Sequence, residues 1–85
     1  MRTLLQKTID EINKDIHWSR KAVAINIYHN SCLVSQPRHS FADTARDLNV
    51  SRAYVSEMIM LINKLADHAE LMNMSRSKAL IYMRK

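Results

Sequence analysis

Eighty-five residues hold one compact core and leave no room for two. A net charge of +5 favours phosphate-bearing partners without singling out nucleic acid. The lack of glycine and the single proline remove the turns on which hairpins and sheets rely, and no run of about eighteen apolar residues is present to span a membrane. The fold expected is all-α: a compact bundle of four to five helices forming one domain over residues 1–85.

The first segment, residues 3–16, sets Leu4, Leu5, Thr8, Ile9, Ile12 and Ile16 on one stripe at helical spacing, with Gln6, Lys7, Asp10, Asn13 and Lys14 facing away. It reads as a packing or pairing helix. Its acids Asp10, Glu11 and Asp15 distinguish it from a signal peptide. Cys32 has no second cysteine to close a disulfide, which suits a reducing compartment, and a cytoplasmic location is expected. Ser19 is placed to cap a second helix over residues 19–34, apolar nearly all the way round and therefore central. In the stretch SQPRHS, Pro37 halts the helix and marks a loop.

Ser40-Phe41-Ala42-Asp43 has the spacing of a capping box and predicts a short helix ending at Leu48. Asn49 tolerates the left-handed conformation that terminates helices. Ser51 then caps a longer helix with the stripe Val55, Met58, Ile59, Ile62, Leu65, Ala66 and Ala69, expected to break around residues 73–75. A terminal helix follows over residues 75–84. Its bases Arg76, Lys78 and Arg84, with Lys85 beyond it, form either an auxiliary phosphate-binding tail or a solvated end whose Leu80, Ile81 and Met83 dock on the core.

Two helices across a tight turn, here within residues 41–66, are what a helix-turn-helix requires. Ala45 is small where the helices cross, and Leu48, Val50, Val55 and Met58 can wedge them at a fixed angle. Thr44 is more polar than the usual occupant of its position. The run TARDLNVSRAYVSEMIMLINKL resembles the helix-turn-helix of ParB/KorB-type partition and plasmid-regulatory proteins, where a small residue and Leu precede the turn and Ser-Arg-x-x-Val-Ser opens the recognition helix. It is also similar to small phage and plasmid repressors. The resemblance covers residues 41–65 and implies binding of double-stranded DNA. The nucleotide-binding part of partition proteins has no counterpart in the sequence, so DNA binding alone is carried over.

Opposite its apolar stripe, the second helix of this unit presents Ala53, Glu57, Met60 and Lys64, flanked by Arg52, Tyr54 and Ser56. Base contacts fall to Arg52 for guanine O6 and N7, Ala53 for a thymine methyl, Ser56, and Glu57 for a cytosine amino group. Phosphate contacts fall to Ser51 with its neighbouring amides, Tyr54 and Lys64, to Arg46 on the first helix and to Arg38 in the loop before it. Glu57 can alternatively orient Arg52, and Arg46 and Arg38 can simply be solvated.

The protein expected is a small transcriptional regulator, a repressor of phage or plasmid type. One recognition helix reads only a few base pairs, so a homodimer is expected, with the pairing helix open among residues 3–16, 20–34 and the terminal helix. No enzyme chemistry, cofactor or metal is expected. His17, His29, His39 and His68 keep no metal-ligand spacing with Cys32 or with one another, and His29 with Cys32 reads as core. The rival is a helix-turn-helix fold reused as a protein-interaction module, such as a phage-encoded inhibitor of host transcription or replication machinery. A third reading resembles the promoter-reading unit of sigma factors. An exposed apolar patch at Met60 is the feature that would favour a protein partner.

Overall fold

The computed structural model describes residues 3–84, and Lys85 lies outside them. Five α-helices follow in order: α1 (Leu4–Ile12), α2 (Trp18–Ser35), α3 (Phe41–Leu48), α4 (Arg52–Lys64) and α5 (Arg76–Met83), with a 3-10 helix at Ala69–Asn73 between the last two. There is no strand among the described residues, and no helix is long and apolar enough to cross a membrane. The all-α bundle is as expected.

Helix α2 is the hub. It packs against α1 on one side and α4 on another, while α3 lies on α4 and α5 closes over α4. Ala22, Ile25, Val55, Met58, Leu61 and Leu71 are completely shielded from solvent and form the centre of the core. Trp18, Tyr28, Leu48 and Leu80 extend it to the ends of the bundle.

Two helices end a turn or more before the sequence expectation. Helix α1 stops at Ile12 rather than continuing to residue 16. The next helix begins at Trp18, capped by the His17 side chain rather than by Ser19: Nδ1 of His17 accepts from the Ser19 N–H at 3.2 Å and from the Ser19 hydroxyl at 2.8 Å. With Nδ1 accepting, Nε2 carries the proton and donates to the Met74 carbonyl at 3.0 Å, which also receives the Trp18 indole N–H at 2.7 Å. Residues 13–16 form the turn between α1 and this anchor.

The second difference shares that anchor. Helix α4 ends at Lys64, well short of residues 73–75. Residues 65–68 turn, and the following 3-10 helix drives Leu71 into the core and delivers the Met74 carbonyl to Trp18. A continuous helix would carry Leu71 and Met74 away from both positions. Ala66 and Ala69 are accordingly exposed rather than part of a buried stripe.

Candidate nucleic-acid interface

The unit formed by α3 and α4 is built from local signals. Ser40 Oγ accepts from the Asp43 N–H at 3.2 Å, and the Asp43 carboxylate accepts in return from the Ser40 N–H at 3.0 Å, completing the capping box. That backbone hydrogen bond holds the Asp43 carboxyl below its ordinary range. At the other end of α3, Asn49 is left-handed, with φ 58° and ψ 45°. The Val50 N–H reaches back to the Ala45 carbonyl at 3.0 Å, a hydrogen bond that tightens the chain reversal. Ser51 then caps α4, its hydroxyl accepting from the Tyr54 N–H at 3.0 Å.

Packing sets the relation of the two helices. Ala45, Leu48, Val55 and Met58 are buried between them, and Val50 is half-buried against the same cluster. Thr44 is also buried, and its polarity is matched: its hydroxyl lies 2.7 Å from His29 Nδ1 and 2.8 Å from His39 Nε2. A hydroxyl has one proton to give, so one imidazole accepts from Thr44 and the other donates to it. The pair ties α3 to α2 and to the loop before α3. Every buried side-chain nitrogen and oxygen among the described residues has a hydrogen-bond partner.

Ser51, Arg52, Ala53 and Ser56 stand exposed on the opening turns of α4. Tyr54 and Glu57 are half-buried and lean towards α5. There the Arg76 guanidinium pairs with the Glu57 carboxylate at 3.0 Å and lies 5.3 Å from the centre of the Tyr54 ring. Burial raises the Tyr54 phenol above its ordinary value, so it remains a hydrogen-bond donor. Arg76 therefore engages the carboxylate that the sequence assigned to a base contact or to orienting Arg52.

The remaining candidates are dispersed. Arg46 is exposed on α3 and paired with Asp43. Arg38 is exposed in the loop before α3. Lys64 ends α4, about 18 Å along the axis from Arg52 at 1.5 Å per residue. Met60, expected to be exposed, is half-buried and packed against the core.

Two features escaped the sequence reading. Asn63 is exposed on the side of α4 that carries Arg52 and Ser56, a position legible from its helical spacing to both. Arg76 and Arg84 line an open cleft of about 450 Å³ with Ser51, Ala53, Tyr54 and Glu57. Nothing local in the sequence connects α5 with the start of α4; only the fold brings them together. No family model, curated protein or solved structure matches the chain.

Proposed function

We propose that this protein binds double-stranded DNA in a sequence-specific manner through α4, acting as a small transcriptional regulator, a repressor of phage or plasmid type. The observation that carries the reading is the opening of α4. Ser51, Arg52, Ala53 and Ser56 project into solvent from a helix fixed against α3 by a capped, tightly hydrogen-bonded turn. In this reading Arg52 takes guanine through its planar fork, Ala53 meets a thymine methyl and Ser56 takes a base or phosphate. The first amides of α4 and Ser51 take a phosphate. Arg84 extends the basic surface beside them, while Glu57 neutralises Arg76 and limits the charge offered to phosphate.

Two copies double the site that is read. What supports pairing is the outer side of α2, where Val23, Ile27, Asn30 and Val34 follow one another at coiled-coil spacing and are all exposed. Met60 is half-buried against the core, which reduces the apolar surface that α4 offers a protein partner.

Fluorescence anisotropy with a random-sequence duplex at low and physiological salt tests the proposal. The expected result is binding that weakens steeply as salt rises, the signature of counterion release. Failure to bind at low salt would refute it and leave the protein-interaction module as the reading to pursue.

A further inference from the structure

The fold gathers three metal-binding side chains that are separated in sequence. Cys32 comes from the last turns of α2, His39 from the loop between α2 and α3, and Asp47 from the end of α3. Their ligand atoms all lie within 4.8 Å of one another. Cys32 and His39 are half-buried and Asp47 is exposed, so the cluster sits at the rim of the core.

From this geometry we infer that Cys32, His39 and Asp47 form a binding site for a divalent ion of the zinc class, holding α2, the loop and α3 together. The donor set selects the ion. Sulfur with imidazole nitrogen suits zinc and its borderline neighbours, whereas magnesium and calcium take oxygen ligands. Tetrahedral bonds of about 2.0–2.3 Å place ligand atoms roughly 3.3–3.8 Å apart. The cluster needs only a small inward adjustment of its side chains to reach that spacing.

The surroundings fit a metal site in two further respects. Outer partners already orient two of the ligands. The Tyr28 hydroxyl donates to Asp47 Oδ2 at 2.8 Å, and Thr44 engages His39 Nε2 at 2.8 Å. Such second contacts fix ligand geometry and raise affinity in metal sites generally. An open cleft of about 300 Å³, bordered by Tyr28, Cys32, Gln36 and Asp47, gives an entry path from solvent. Three protein ligands would leave a fourth position for water. Binding displaces the Cys32 thiol proton to solvent and changes no oxidation state. This inference is independent of DNA binding.

The test is a titration of the reduced full-length chain with cobalt(II), followed by displacement with zinc. The expected result is one cobalt per chain, with a thiolate charge-transfer band in the near ultraviolet and visible bands of tetrahedral intensity, all lost on adding zinc. Because Cys32 is the sole thiol, Cys32→Ser serves only as a control. Asp47→Asn and His39→Gln are the informative variants. Each is expected to weaken cobalt binding at least tenfold, with circular dichroism checking the helical fold. Asp47 is exposed, and an amide still accepts from Tyr28, which makes Asp47→Asn the safer of the two. No cobalt binding by the native chain, one cobalt bridging two chains, or native affinity in Asp47→Asn would each overturn the site.

Discussion

At the residue scale, the proposed interface depends most on Arg52. It is exposed at the first position of α4, and its guanidinium can offer two parallel donors to guanine. Arg52→Ala is expected to cost about 1–3 kcal/mol of discrimination between a selected site and random duplex, while non-specific affinity falls only slightly. Anisotropy titrations of both duplexes measure the difference. An unchanged ratio would remove Arg52 from base reading. A second residue, His29, concerns stability. Burial, and then the neighbouring His39 charge, lower its pKa below 6.5. The unfolded chain therefore takes up this proton first as pH falls. Stability is fully present above about pH 6.5 and declines from there through the lower folded pKa, with a slope of at most about 1.4 kcal/mol per pH unit. His29→Gln, which can still bond Thr44, should flatten the pH 7 to 5 limb of urea-derived stability measured with a chelator present. An unaltered limb would place the titration elsewhere. The lowered carboxyls Glu11, Asp43 and Glu70 act from ordinary values of 3.8 to 4.5 downward, outside that window.

At the element scale, the connection between α3 and α4 rests on Asn49, the only residue with positive φ among those described. Left-handed backbone costs an ordinary residue about 1–2 kcal/mol, and glycine nothing comparable. Asn49→Ala should therefore lower the unfolding free energy by about 1 kcal/mol, while Asn49→Gly stays near the native value; urea denaturation distinguishes them. An equally tolerated alanine would contradict the left-handed turn. This stretch was legible in the sequence because its determinants are local: Ser40 with Asp43, then Asn49, then Ser51 and the apolar positions between them. Helix ends fixed from afar were not. Nothing near residue 12 announces the end of α1, and nothing near residue 64 announces the end of α4. The break after α4 lets Met74 receive Trp18 and His17, a contact spanning most of the chain. The same limit applies to the interface. The exposure of Arg52, Ala53 and Ser56 follows from helical spacing, but the pairing of Glu57 with Arg76 requires knowing that α5 folds back onto α4.

At the scale of the whole molecule, the outer side of α2 is the surface that bears on pairing. Ala22, Ile25, Tyr28 and His29 bury the inner side of this helix, while Val23, Ile27 and Val34 remain exposed opposite them, Val34 to 86 %. Leu4 of α1 joins Ile27 at the edge of this strip around a shallow cleft. A single chain gains nothing from apolar side chains held in water, whereas two chains pairing along α2 would bury them and set two α4 helices in one particle. Ile27→Glu separates pairing from folding, because Ile27 is 51 % exposed within the protomer and the new charge can remain solvated there. At protein concentrations too low for pairing, unfolding of the variant should stay within about 0.5 kcal/mol of the native chain. Sedimentation equilibrium should show a native dimer and a monomeric variant, and DNA affinity should fall with the loss of the dimer. A variant that still dimerises would move the interface to another face. A native chain that sediments as a monomer at every concentration would instead confine recognition to one α4 and a correspondingly short site.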